Sequence, residues 1–188
     1  MKCTSCKTGE LLPNTLEETL PCHTCNNCGG NWIKLEDYIK WHNTQQPQQA
    51  VVDEIGVEVD AIESRQALLC PETGAIMTKF KITSDTDHRI DWCSQSASIW
   101  LDKGEWELLK KKGVADKLNQ IFSRQWQAKI MAETARNTRE AQLIEKLGEE
   151  NYSRLKLVRT WLHEQSDENK AIMISFLVAR DPLSPKKG

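Results

Sequence analysis

No stretch of about 18 apolar residues occurs in the 188-residue chain, so a membrane-spanning helix is not expected. The opening Met1-Lys2-Cys3 has no apolar core of a secretory signal, which points to the cytosol. There is no glycine-rich phosphate loop, no Gly-x-Ser-x-Gly elbow and no His-Glu-x-x-His pair. No nucleophile, base and orienting group can be assembled from the pattern, so the chain does not read as an enzyme. An even, dispersed cysteine set is also missing. The seven cysteines are odd in number and five fall in the first 28 residues, unlike a secreted disulfide framework. Apolar residues at 39% and charged residues at 28% suit a folded chain rather than a disordered one.

What is present is concentrated at the N-terminus. Cys3-Thr4-Ser5-Cys6 and Cys25-Asn26-Asn27-Cys28 form a Cys-x2-Cys-x18-Cys-x2-Cys pattern, in the spacing range of a four-thiolate zinc site. A Cys-x-x-Cys turn aims two sulfurs at one point. Gly29-Gly30 let the backbone fold back beneath it, and Trp32 supplies apolar area beside it. Four thiolates fill a tetrahedral sphere and leave no position for water, so one zinc in a structural role is expected, held by Cys3, Cys6, Cys25 and Cys28. Cys22-His23-Thr24-Cys25 is a second, overlapping Cys-x-x-Cys, which leaves Cys22 as an alternative ligand, a spare thiol or a redox-sensitive substitute. His23 is a further candidate ligand.

Along the chain, residues 1–42 read as the metal module. A short strand at Leu11-Leu12 is expected to stop at Pro13-Asn14, a second runs over residues 15–20, and a helix covers 34–42 with Leu35, Tyr38, Ile39 and His42 on one face. Residues 43–66 read as a linker that begins in a polar, Pro-containing run. Within it, residues 57–59 suit a strand and 60–67 a short helix, and the pattern does not decide. Residues 67–113 repeat the first module: Cys70 answers Cys3, and Cys93, Trp100 and Trp106 answer Cys25, Trp32 and Tyr38 at an offset of 68. Strands at 80–82 and 89–92 flank a polar turn, and a helix over 102–112 ends at Gly113. Thr73 and Ser96 stand where the second thiol of each pair would be. Hydroxyls do not replace thiolates on zinc, so this copy is expected to keep the fold without metal. Its remaining thiols, Cys70 and Cys93, are either a buried reduced pair or a disulfide.

Residues 114–188 read as helical: a short helix over 114–122 and a long one over 126–147 stopped by Gly148. A third covers 149–165, and a last one is capped by Ser166-Asp167 and ended by Asp181-Pro182. Net charge is −5 for residues 1–66, 0 for 67–112 and +3 for 113–188. The basic helices, with Trp126 and Trp161, suit nucleic acid. Their interleaved glutamates suit a mixed-charge helical hairpin better. His42, His88 and His163 have no partner spacing, and paired acids such as Glu17-Glu18 read as solvated.

The residues Cys3, Cys6, Cys25, Cys28, Gly29, Gly30 and Trp32 resemble the bacterial TFIIB-type zinc-ribbon family, the transcription-factor zinc finger. The second copy is similar through the tail Trp100-Leu101-Asp102-Lys103-Gly104-Glu105, which the first replaces with Ile33-Lys34-Leu35-Glu36-Asp37. The resemblance implies small ribbons that serve as interaction or nucleic-acid modules. The expected fold class is α+β: two ribbon-like units followed by helices. The expected function is a cytosolic, zinc-binding, non-enzymatic adaptor with a protein partner. The alternative is a transcription-associated or nucleic-acid-binding factor.

Overall fold

A computed structural model describes residues 1–45, 61–62 and 66–180. The strand alternative at 57–59, half of the helix alternative at 60–67 (60 and 63–65), and Asp181-Pro182 with the tail lie outside the described residues; 61, 62, 66 and 67 are not helical. The fold class is α+β: an antiparallel sheet region followed by helices.

Strand β1 (Leu11–Leu16) pairs antiparallel with β2 (Leu20–Cys25). The expected break at Pro13-Asn14 does not occur, because Pro13 sits within β1 opposite His23. Since β1 is the edge of the sheet, a residue without an N–H is tolerated there. The chain turns instead at residues 17–19, with Glu17 and Glu18 at φ 45° and 62°. Glu17 and Glu18 are exposed, as expected of paired acids on a solvated face, but the Glu17 carboxylate also makes long-range contacts. Its Oε1 accepts from Lys110 Nζ (2.6 Å) and Trp106 Nε1 (2.8 Å), and the ammonium holds its carboxyl below the usual range.

Two strands absent from the sequence reading build the centre of the sheet. Strand β3 (Asn31–Lys34) precedes helix α1 (Leu35–Thr44), which runs two residues further than the periodicity predicts. Strands β4 (Thr78–Lys81), β5 (Arg89–Cys93) and β6 (Ser98–Leu101) precede helix α2 (Glu105–Lys111). The six strands form one sheet in the order β1-β2-β3-β6-β5-β4. At its middle Trp32 faces Trp100 and Ile33 faces Ile99. Of these pairs only Trp32 and Trp100 correspond at the offset of 68; Ile33 faces Ile99, the counterpart of Asn31, and Asn31 faces Leu101, the counterpart of Ile33, as around a two-fold axis through the tryptophan pair.

Strand alternation then sorts the core into two layers. Ile33, Ile99 and Leu101 join Leu20, Tyr38, Trp106 and Leu109 on the helix side. Trp32 and Trp100 face the other way, among Cys3, Cys25, Cys70 and Cys93. The helix-side layer continues past residue 113. Val114, Leu118 and Ile121 are buried in it, the last two on helix α3 (Leu118–Ile121), and Phe122 stacks on Trp92 at 4.6 Å. Tyr38 Oη donates to Ala115 O (2.7 Å). Trp126 Nε1 and Gln127 Nε2 donate to the carbonyls of Ile82 (3.1 Å) and Lys81 (3.0 Å) beside strand β4. The first compact unit thus runs over Met1–Thr134, beyond the boundary drawn at 113/114, because these side chains complete its core.

Helix α4 (Arg124–Leu147) enters the second unit at Ala135 and ends before Gly148, whose φ is 77°. Helix α5 (Glu149–His163) follows. Ser166 Oγ accepts from Asn169 N (3.3 Å) to start helix α6 (Asp167–Val178), as a serine N-cap should. No described helix is long and apolar enough to cross a membrane.

Candidate metal centre

The four predicted ligands come together. The Sγ atoms of Cys3, Cys6, Cys25 and Cys28 all lie within 4.8 Å of one another. The pairing is crossed: Cys3 meets Cys28 at 3.6 Å and Cys6 meets Cys25 at 3.7 Å. Four sulfurs placed tetrahedrally about 2.3 Å from a zinc ion would be about 3.8 Å apart. The donor set and its spacing fit one zinc ion, with no vertex left for water.

Backbone amides prepare the sulfurs for that charge. Gly9 N donates to Cys6 Sγ (3.3 Å), and Asn27 N and Cys28 N donate to Cys25 Sγ (3.4 and 3.5 Å). The Asn27 and Thr8 side chains, which also bond each other at 2.9 Å, hold the Cys6 thiol down to about 5, while burial pushes Cys3 well up. Packed thiols cannot all ionise without a cation among them. The divalent ion resolves that conflict, and its binding energy becomes folding energy.

Three glycines make the geometry possible. Gly29 turns the chain at φ 72°. At Gly30 a Cβ would lie 2.3 Å from the Trp100 ring, so the indole of the second ribbon rests directly on the backbone of the first ribbon's metal turn. Gly9 is the residue the sequence reading missed: a Cβ there would lie 2.4 Å from Cys25 Sγ. A lone glycine three residues after Cys6 gave no signal beyond its position.

Cys22 does not reach the centre. Three positions from Cys25 on the same strand, it projects to the opposite face, where it is buried with Leu20, Ile33 and Tyr38. Its Sγ lies 3.6 Å from Thr24 Oγ1, and burial raises its pKa. His23 is likewise outside the thiol cluster and packs edge-on against Trp32 at 5.5 Å.

The second ribbon arranges its residues in the same crossed pattern. Cys70 Sγ lies 3.2 Å from Ser96 Oγ, and Cys93 Sγ lies 3.6 Å from Thr73 Oγ1. Ser98 extends the chain of contacts, 2.7 Å from Ser96 and 3.8 Å from Cys70. Burial pushes the Cys70 thiol up, but hydrogen bonds from Ser96 and Thr73 outweigh it and bring it down to about 6. All seven cysteines are free, Cys70 and Cys93 included. Hydroxyl–thiol contacts stand here where thiol–thiol contacts stand at the first centre.

The tail motif closes a second network. Trp100 Nε1 donates to Asp102 Oδ1 and Asp102 N donates to Glu105 Oε2, both at 2.8 Å. Glu105 is fully buried, which pushes its pKa up to about 9. In the first ribbon Lys34 and Asp37 replace Asp102 and Glu105 at the offset of 68. Lys34 Nζ sits 4.9 Å over the Trp32 ring and pairs with Glu72, and the buried Trp32 Nε1 finds no hydrogen-bond partner among the described residues. His88 is half-buried, with Nδ1 3.9 Å from Glu105 Oε1.

No curated protein and no solved structure matches the chain. Residues 2–44, which hold all four ligands, match the family described as transcription factor zinc-finger, the TFIIB-type zinc ribbon.

Proposed function

We propose that the protein is a non-enzymatic, cytosolic adaptor whose zinc shapes a protein-binding surface and takes no part in chemistry. The observation that supports this most is the closure of the centre: four thiolates on one ion leave no site for a substrate or an activated water. When bound, the zinc supplies a rigid cross-link between the turns at Cys3 and Cys25. On this reading the second ribbon is a metal-free copy of the first, joined to it edge to edge, so that both present one continuous sheet. The partner is a protein that recognises the ribbon unit.

The transcription-associated alternative is favoured by the family description of residues 2–44. The basic helices support it less. Several of their cations are engaged by neighbouring acids, with Arg154 2.6 Å from Glu150 and Lys156 3.1 Å from Glu140. Phosphate binding needs such cations available where the contact is made.

One experiment separates the two. Zinc-loaded wild-type and Cys6→Ser chains are used side by side to capture ligands from native lysate, across a salt series. The adaptor reading expects a stoichiometric protein that Cys6→Ser loses. Capture of DNA or RNA alone, with affinity falling steeply as salt rises, would establish the alternative.

A further inference from the structure

The second unit has the opposite problem from the first. Neither α5 nor α6 contains a buried residue. On α6, Ile172, Ile174, Phe176, Leu177 and Val178 are 46–77% exposed. With 3.6 residues per turn these positions go round the whole helix, and a helix apolar all round belongs inside something. On α5, Leu155, Leu157 and Trp161 are 47–72% exposed. Helices of this length draw their stability from tertiary burial, so the hairpin as it stands lacks its main source of stability.

Between the two helices runs a groove of about 470 Å³ whose apolar wall is Leu155, Val158, Leu162, Ile174 and Leu177. We propose that this groove and the outer face of α6 form a self-association surface, and that the occupant is α6 of a second copy of this chain. Three observations select that occupant. The eight exposed side chains present apolar area on the order of the ~800 Å² that each partner of a standard interface buries. The groove rim carries Arg159 and His163, and also Lys170, which pairs with Asp167 of its own helix at 3.2 Å, while the first turn of α6 also carries Glu168, so a second α6 brings both apolar surface and a carboxylate for the rim. Residues 135–180 hold 8 Lys+Arg and 7 Asp+Glu, so two copies do not repel each other and a polyanion is not specially attracted. Two hairpins docked this way close by two-fold symmetry into a four-helix arrangement. The dimer would carry two ribbon units, and this inference does not depend on what those units bind.

The test is sedimentation velocity with light scattering on the full, zinc-loaded chain at about 100 μM, above the micromolar-to-picomolar range of interfaces of this area. The expected mass is that of two 21.5 kDa chains. Ile174→Glu and Leu155→Glu place a charge on exposed positions of α6 and α5, and each should weaken the dimer by about tenfold or more while zinc content stays unchanged. Ile76→Glu, at a position 73% exposed on the ribbon unit, should leave the dimer intact. A wild-type monomer at that concentration would overturn the proposal, as would a dimer that survives both hairpin variants or is lost in Ile76→Glu.

Discussion

Residues 1–42 and 67–113 hold the same crossed side-chain pattern with different donors. In the first, Cys3 with Cys28 and Cys6 with Cys25 converge on a metal. In the second, Cys70 with Ser96 and Thr73 with Cys93 keep the same crossed contacts by hydrogen bonding alone. The metal-binding copy has a turn glycine at Gly29 and leaves the buried Trp32 Nε1 without a partner among the described residues. The unit with Cys70 and Cys93 carries Ala97 at φ 46° at the position 68 residues on, and Trp100, Asp102 and Glu105 are linked by hydrogen bonds beside it. Neither unit satisfies every buried polar atom: in the second, Glu105 Oε1 and His88 Nδ1 find no hydrogen-bond partner among the described residues. What differs is the corner itself, where structural zinc contributes roughly 10–16 kcal/mol in isolated finger peptides.

The largest effect that should separate the halves is metal removal. Chelation is expected to expose the amides of β1 and β2 to hydrogen exchange while those of β4 and β5 stay protected. Equal loss on both sides would mean that the second ribbon leans on the metal too. The converse experiment builds a site. Thr73→Cys combined with Ser96→Cys completes four thiols in the crossed pattern, and metal analysis should rise from one zinc per chain to two. A double variant that folds and still holds one zinc would show that the correspondence of the two corners is wrong.

A smaller effect comes from Glu105. Its carboxyl is raised from 4.5 to about 9, chiefly by burial, with the Asp102 and Asp91 charges adding to the rise and the Asp102 N–H and Lys79 opposing it. The folded state therefore binds more protons than the unfolded one between those values, and this group's contribution to stability falls as pH rises through that window. Glu105→Gln keeps the acceptor for Asp102 N but cannot ionise. It should match wild type near pH 4, exceed it in Tm near pH 8, and flatten the decline between them. The smallest contrast lies in the indoles. Trp100→Phe loses the bond to Asp102, whereas Trp32→Phe removes an N–H without a partner. Urea denaturation should find Trp100→Phe the costlier by about 1–2 kcal/mol.

Much of this was legible from residue type. The Cys-x-x-Cys pairs gave the ligands, the offset of 68 pointed to the crossed contacts of Cys70 with Ser96 and Thr73 with Cys93, and Gly113, Gly148 and Ser166 marked helix ends that the structure keeps. What stayed hidden has physical causes. The turn at Glu17-Glu18 contains neither glycine nor asparagine, and Glu17 is held there by Trp106 and Lys110 from far along the chain. Strands β3 and β6 have four residues each, and β6 is buried throughout, so neither shows a usable alternation. Cys22 looked like a ligand because its spacing to Cys25 suits a knuckle. Once β2 is known to run through both residues, strand alternation sends the two thiols to opposite faces.

Zinc content per chain, measured on wild type and on each of the seven single Cys→Ser variants, tests the central claim most directly. One zinc is expected in wild type and in Cys22→Ser, Cys70→Ser and Cys93→Ser, and none in Cys3→Ser, Cys6→Ser, Cys25→Ser and Cys28→Ser. Two zinc ions in wild type, or loss of the ion from Cys22→Ser alone, would contradict it.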